Sequence, residues 1–199
     1  MLVFWKKKLV FLSVPKTGTT AIEAALAPVA DMVISNPPEL KHAPVYRYNR
    51  FFRPMFERAC NVDDMELMAV MREPISWLAS WYRYRQRDAM RGHRNATHHV
   101  SFEEFVLEYM KGDKKAAFAN VGSQAKFLEP RPNGVKVTHL FPYEDQPRLI
   151  RFLEERLEQP INLAQHNRSP QMDLELSLDT QRKLRRKFSA DFDLHESLL

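Results

Sequence analysis

The sequence predicts an α/β fold: a single domain over residues 1–199 whose central parallel sheet carries helices on both faces. Three observations lead there. Short apolar runs rich in β-formers occur at residues 9–14, 66–71 and 136–141. Segments with helical spacing of apolar side chains alternate with those runs. Strands alternating with helices are the pattern of a parallel sheet whose crossovers are helical.

Taken in order, residues 9–14 (LVFLSV) lie between lysines and Pro15 and read as a buried strand. Thr19–Leu26 (TTAIEAAL) places Ile22, Ala25 and Leu26 at helical spacing and is closed by Pro28. Residues 31–35 form a second strand, stopped by Asn36-Pro37-Pro38. Residues 39–64 are polar, aromatic and basic and read as loop with one helix. Glu66–Met71 (ELMAVM) is another buried strand. Beyond Arg72-Glu73-Pro74 a long helix runs over 75–90, with the proline suited to its first turn. Residues 102–110 and 121–128 read as helices. Residues 136–141 (KVTHLF) alternate like a strand and lead into a helix over 144–157. A helix over 178–188 ends the regular structure. No repeat, low-complexity tract or domain boundary interrupts the chain.

Composition narrows the class. With 199 residues, 44% of them hydrophobic, and 13 Phe, 6 Tyr and 3 Trp, the chain can bury an ordinary core and is not a disordered segment. No apolar run approaches the roughly 18–20 residues that cross a bilayer. The opening Met1-Leu2-Val3-Phe4-Trp5-Lys6 lacks the basic-then-apolar order of a signal peptide. Cys60 is the single cysteine, which leaves no intrachain disulfide and no cysteine zinc cluster, and fits a reducing cytoplasm. Thirty Lys and Arg against 25 Asp and Glu give +5 at pH 7. That balance favours anionic partners without choosing among nucleotides, acidic sugars, nucleic acid and anionic lipid. The five glycines are placed so that neither G-x-G-x-x-G nor G-x-x-x-x-G-K-[ST] exists.

The first motif that carries chemistry is Val14-Pro15-Lys16-Thr17-Gly18-Thr19-Thr20, between a strand and a helix. Such a junction aims backbone N–H groups and the positive end of the helix dipole at one spot. Lys16 adds a full charge, Gly18 permits close approach, and the hydroxyls can donate. The parts make an oxyanion cradle; they also suit an ordinary βα loop in which Thr19 or Thr20 caps the helix and Lys16 is solvated.

The second motif is Met71-Arg72-Glu73-Pro74-Ile75-Ser76-Trp77-Leu78-Ala79-Ser80. Arg72 falls at the carboxyl end of a predicted strand, where open α/β sheets bind ligands. Ser76, Ser80, Arg83 and Arg87 follow at helical spacing. Arg72 and Ser80 together can hold a phosphate by a charged fork and a hydroxyl. The plainer alternative pairs Arg72 with Glu73 or Glu23 and leaves Ser80 as a small residue against the sheet.

Taken together, Pro-Lys-x-Gly-Thr-Thr after the first strand and Arg-Glu-Pro with a serine eight residues beyond the arginine resemble the sulfotransferase family. The resemblance implies a P-loop-like fold. It also implies an enzyme using 3′-phosphoadenosine 5′-phosphosulfate (PAPS) as sulfuryl donor and releasing the desulfated product PAP. In its terms Lys16, Thr17, Gly18, Thr19 and Thr20 grip the 5′-phosphosulfate, while Arg72 and Ser80 grip the 3′-phosphate. Tyr143-Glu144-Asp145, Asn167-Arg168-Ser169-Pro170 and Asp191-Phe192-Asp193-Leu194 are similar to further family segments. Arg168 and Ser169 are thereby expected to close over the donor's 3′-phosphate end. Trp77 departs from the pattern, standing where many relatives carry a second arginine, and the substrate side loses that guide.

Sulfuryl transfer resembles phosphoryl transfer: an in-line attack, with charge developing on the leaving phosphate oxygen. Lys16 and the loop N–H groups suit that charge, and no metal is expected. The acceptor hydroxyl needs a base near neutral pH, which histidine supplies best. Among His42, His93, His98, His99, His139, His166 and His195, the choice falls on His42 in Lys41-His42-Ala43-Pro44. It lies between the two motifs, as the base histidine does in the carbohydrate sulfotransferases that the chain resembles. A solvated loop histidine is the bland alternative, and Glu23 is the carboxylate nearest the cradle in sequence. His98-His99 lacks H-E-x-x-H spacing, and His139 within a strand reads as structural.

Arg83, Arg85, Arg87, Arg91 and Arg94, with Tyr82 and Tyr84, either receive an acidic polysaccharide or form a solvated helix face. Trp77, Trp81 and Tyr84 form a stripe at helical spacing that reads as core rather than as a sugar-stacking platform. The expected partner is a hydroxyl-bearing acceptor, a carbohydrate or polysaccharide, with no nucleic acid and no membrane span. Two rivals stand beside this reading: a P-loop-type phosphotransferase or nucleotide kinase, and a non-catalytic basic nucleic-acid-binding module. Acceptor identity and oligomeric state stay open.

Overall fold

The computed structural model describes residues 1–163, 172 and 174–199. Arg168 and Ser169, together with His166, Asn167 and Pro170, lie outside the described residues. The strands are β1 (Leu2–Phe4), β2 (Leu9–Leu12), β3 (Met32–Val33), β4 (Glu66–Met71) and β5 (His139–Pro142). The helices are α1 (Thr19–Leu26), α2 (Pro38–Lys41), α3 (Val45–Arg47), α4 (Arg53–Cys60), α5 (Pro74–Arg85), α6 (Phe102–Tyr109), α7 (Gln124–Leu128), α8 (Gln146–Leu157), α9 (Leu178–Lys187) and α10 (Ser189–Glu196). Their packing groups the chain into two compact units. The first holds Met1–Arg72, the stretch from Gln124 through α8, and Leu198-Leu199; the second holds Glu73–Ser123 and the C-terminal helices up to Ser197.

The first unit is built on a five-stranded sheet in the order β3-β1-β2-β4-β5. Strands β2, β4 and β5 run parallel, with Leu12 opposite Ala69 and Met71 opposite Pro142. Strand β1 runs antiparallel to both β2 and β3. The sheet is therefore mixed, not parallel throughout as expected. The cause is the opening LVFWKKKLVFL. Only four residues join β1 to β2, with Lys7 N–H donating to the Phe4 carbonyl at 3.2 Å and Lys8 N–H to the Trp5 carbonyl at 3.0 Å. A connection that short returns the chain antiparallel, because a parallel crossover needs a dozen residues or more. Three residues are too few to show a period, so β1 left no signal of its own.

Leu2, Phe4, Leu9, Phe11, Met68, Val70 and Phe141 form one core with Ile22 and Leu26 of α1 and Leu149 and Leu153 of α8. Val10, Leu12, Leu67, Ala69 and Met71, alternating to the other face, are equally buried. Burial on both faces is why β2 and β4 read as continuous apolar runs.

Residues 39–64 are more ordered than the loop with one helix expected of them. They form α2, α3 and α4, and a π-helical turn, Tyr48–Phe52, joins α3 to α4. Tyr48, Phe52 and Phe56 at four-residue spacing supply the buried side of that run.

The second unit packs α5, α6, α9 and α10 around Trp77, Leu78, Tyr82, Phe102, Phe105, Tyr109, Leu184 and Phe192. Glu73 starts α5 by accepting from the Ile75 and Ser76 N–H groups at 3.0 and 2.6 Å. Ser101 and Glu104 make a reciprocal capping box on α6. Helix α5 ends at Arg85, well short of the expected residue 90. Arg85 turns inward there and donates to the carbonyls of Ala117 at 3.0 Å and Asn120 at 3.3 Å. Helix α10 corrects the expectation that regular structure ends at residue 188. Its buried face is Asp191, Phe192 and His195, two of them polar, so hydrophobic spacing does not reveal it. Among the described residues no helix is long and apolar enough to cross a membrane.

Phe11 is fully buried in the sheet core. Phe11→Ala is expected to destabilise the first unit by about 3–5 kcal/mol, read as a lowered urea midpoint.

Candidate functional site

Beyond β2 the chain passes through Ser13 and Val14 into the turn that opens α1. Lys16 and Gly18 both take left-handed conformations there, with φ of 69° and 75°. Glycine adopts this region freely, whereas a side chain costs about 1–2 kcal/mol. The turn is tied to itself by the buried Thr17 hydroxyl, which donates to the Val14 carbonyl at 2.8 Å. No side chain caps α1, whose N-cap is Gly18. The expectation that Thr19 or Thr20 serves as cap is thus replaced. Among the described residues the cap gives no side-chain hydrogen bond to the N–H groups that open α1; those of Ala21 and Ile22 turn back to the Gly18 carbonyl at 3.1 and 3.3 Å. Thr19 is buried and Thr20 is exposed.

Tyr143 closes over this turn. Its N–H donates to the Met71 carbonyl at 2.6 Å, one residue past β5. A Cβ built on Gly18 would lie 2.9 Å from Tyr143 Cε2, so the ring occupies the space any side chain would need. Arg72, one residue past β4, stacks its guanidinium on the same ring, 4.5 Å from the centroid. Arg72 Nη1 lies 3.5 Å from the Lys16 carbonyl oxygen. The arginine's own backbone is held by Gln124, fully buried at the start of α7. Arg72 N–H donates to Gln124 Oε1 at 2.9 Å, and Gln124 Nε2 donates to the Arg72 carbonyl at 2.7 Å. The two hydrogen bonds fix the Arg72 backbone, and the stacking contact restrains its guanidinium.

The contacts shown for Glu73 and Glu23 run elsewhere than to Arg72. Glu73 caps α5, and Glu23 accepts from Ser13 and pairs with Lys41. Ser80 lies on α5 in the second unit and is 7% exposed. Gln124 had no signal in the sequence. Its importance comes from meeting the backbone of a residue 52 positions earlier, which no local spacing encodes.

His42 follows α2 and is half-buried. Its Nδ1 lies 2.7 Å from the Ser13 carbonyl oxygen. A carbonyl can only accept, so Nδ1 carries the hydrogen and the lone pair of the neutral ring sits on Nε2. Burial is the main cause that pushes the His42 pKa below its ordinary value near 6.5, with the nearby Lys41 charge adding to it. The hydrogen bond to Ser13 and the Glu23 carboxylate oppose the shift. The ring is therefore neutral at pH 7, in the tautomer a general base at Nε2 requires.

The other histidines differ. His139 Nε2 pairs with Glu66 Oε2 at 3.1 Å within the sheet, a structural contact. His195 is buried on α10. Both ring nitrogens of His98 are buried with no hydrogen-bond partner among the described residues. No group of three His, Cys, Asp or Glu side chains is placed to hold a metal ion among the described residues. In the aromatic stripe of α5, Trp77 meets Trp81 edge-on at 6.2 Å, and Trp81 meets Tyr84 at 6.0 Å. Of the α5 arginines, Arg85 is buried, which removes it from any solvated basic face.

No family model, curated protein or solved structure matches the chain.

The depressed pKa of His42 sets a sign for stability. As pH falls, the unfolded chain binds the proton first, near 6.5, so the contribution of His42 is complete above that pH. It is lost as pH falls from there through the folded pKa. In His42→Asn the amide can keep the donor to Ser13 but does not titrate. The stability difference between wild type and His42→Asn, from urea unfolding at about pH 7.5 and about pH 5, is expected to fall on acidification. A difference independent of pH would contradict this.

Proposed function

We propose that this chain is a PAPS-dependent sulfotransferase acting on a carbohydrate hydroxyl, with a P-loop-like βα cradle for the donor. The observation that carries the reading is that Arg72, the arginine of the second motif, meets the turn of the first motif within the first unit. Ahead of an uncapped α1, Lys16 and Gly18 are both left-handed, and the Arg72 guanidinium lies 3.5 Å from the Lys16 carbonyl. Two cationic side chains and a row of helix-start N–H groups fit a donor with two separate anionic ends.

On this reading the Lys16 ammonium and the N–H groups of Gly18, Thr19 and Thr20 hold the 5′-phosphosulfate. They also stabilise charge on the phosphate oxygen that leaves. Thr17 takes part through its backbone, since its hydroxyl hydrogen is committed to Val14. Arg72, held by Gln124 and Tyr143, takes the 3′-phosphate as a preorganised fork. Ser80, Arg168 and Ser169 enter on the family resemblance alone. In the reaction the acceptor oxygen bonds to sulfur and the bond from sulfur to the phosphate oxygen breaks. The acceptor's proton passes to His42 Nε2.

The test begins with ligand-dependent melting. PAP is expected to raise the melting temperature more than AMP or ATP does, and Arg72→Ala to abolish that preference with the fold intact. Equal shifts from PAP and AMP would remove the basis of the reading. Lys16→Ala is expected to lower turnover by about 10²–10³-fold in sulfuryl transfer to a panel of acidic and neutral glycans, because it removes charge stabilisation that matters most in the transition state. Unchanged turnover would exclude that role.

A further inference from the structure

Glu23 sits on α1 with its side chain 15% exposed, and both carboxylate oxygens are engaged. Oε1 accepts from the Ser13 hydroxyl at 2.8 Å, and Oε2 pairs with the Lys41 ammonium at 2.8 Å. The backbone amine of Met1 lies 3.7 Å from Oε1 and donates to the carbonyls of Ile34 at 3.1 Å and Lys41 at 3.0 Å. Ser13 and Lys41 are also the residues that fix His42. Ser13 receives the Nδ1 hydrogen on its carbonyl, and Lys41 is the chain neighbour that closes α2. One carboxylate therefore holds both pieces that hold the imidazole. It also joins the cradle helix α1 to the segment that carries the candidate base. Both oxygens are already engaged and the side chain is largely buried, which argues against Glu23 itself as the base.

We propose that Glu23 is the positioning residue of the site: by clamping Ser13 and Lys41 it locks His42 as the Nδ1–H tautomer and reserves Nε2 for the acceptor's proton. The identity of that proton rests on the sulfotransfer reading; the clamp itself rests on the geometry alone. The charged groups facing His42 are Lys41 on α2, Glu23 on α1 and the Met1 amine ahead of β1. The two cations lower its pKa and the carboxylate raises it. Removing each therefore has a predictable sign. Glu23→Gln keeps an acceptor for Ser13 but leaves Lys41 uncompensated, so His42 titrates at lower pH than in wild type. Lys41→Gln removes a cation, so His42 titrates at higher pH. Glu23→Ala breaks both contacts and frees the ring.

Two-bond ¹H–¹⁵N correlation spectra of the histidine rings read tautomer and titration together and need no enzyme activity. Wild type is expected to show Nδ1–H. Glu23→Gln should keep that tautomer with a lower midpoint, and Lys41→Gln should raise the midpoint. Glu23→Ala should mix the tautomers and lower turnover by about 10²-fold, the scale set by misplacing a reacting group. The acid limb of the turnover profile should move with the midpoint in the two Gln variants. Identical tautomer and midpoint in wild type, Glu23→Gln and Lys41→Gln would overturn the clamp, whether or not Glu23→Ala folds. If PAP gives no preferential stabilisation while His42 responds as stated, the sulfotransfer reading fails and the clamp stands. If PAP preference is present and His42 is indifferent to Glu23 and Lys41, the clamp fails and the reading stands.

Discussion

The parallel register of β2, β4 and β5 is the constraint from which the candidate site follows. Leu12 faces Ala69 and Met71 faces Pro142, so the three strands release their chains in step at one edge of the sheet. The ladder continues one residue further, where Tyr143 N–H reaches the Met71 carbonyl. Arg72 and Tyr143 thus leave the sheet side by side and meet the turn that opens α1. A slip of one residue in β4 would turn Arg72 to the opposite face and bring Met71 in its place. What opposes the slip is the charge at either end of the run: Leu67, Met68, Ala69, Val70 and Met71 are buried between half-buried Glu66 and Arg72, and a slip would draw one of those charges into the buried span.

Electrostatics divides this edge into two regimes. Near the turn that opens α1, the Arg72 guanidinium stands beside a lysine-bearing helix start, an arrangement that favours an anion. Around His42 two cations, Lys41 and the Met1 amine, stand beside one carboxylate, Glu23, and the ring is held neutral chiefly by its burial. The two regimes ask for different chemistry. An anion-binding edge works through net charge, whereas a proton acceptor near pH 7 works through a balance of burial and neighbours. Glu23 lies on the helix that begins at the cradle, so the boundary between the regimes is less than one α-helix long.

Elements with signals at both ends were legible from the sequence. Helix α1 matches residue for residue because Gly18 and Pro28 bracket it, and β4 matches because an apolar run meets a proline-bearing turn. Helices α6 and α8 agree to within one or two residues. Strand β1 was not legible, since three residues carry no period and their assignment depends on pairing with β2. Helix α10 was not legible because its inward face carries Asp191 and His195. In the site, Lys16, Gly18 and Arg72 announced themselves by residue type at a strand end. Gln124 and Tyr143 organise them through contacts distant in sequence, and Glu23 was visible only as a nearby carboxylate. The polar groups that position functional side chains do so across the fold, and linear spacing does not record that.

The contrast between Lys16 and Gly18 carries the argument one step further. Both positions are left-handed, yet only one holds the residue that the backbone prefers. At Gly18 the choice follows from space, since Tyr143 fills the site of any Cβ. At Lys16 glycine or asparagine would meet the same φ at lower cost. A lysine there is explained by its ammonium and not by its backbone. Strain of this kind is tolerated where the surrounding structure over-determines the turn. Here the Thr17 hydroxyl on Val14 and the Tyr143 ring against Gly18 do so from either side. Local stability is thus spent at a lysine in the turn that opens a helix, where cation and backbone donors together suit an anion.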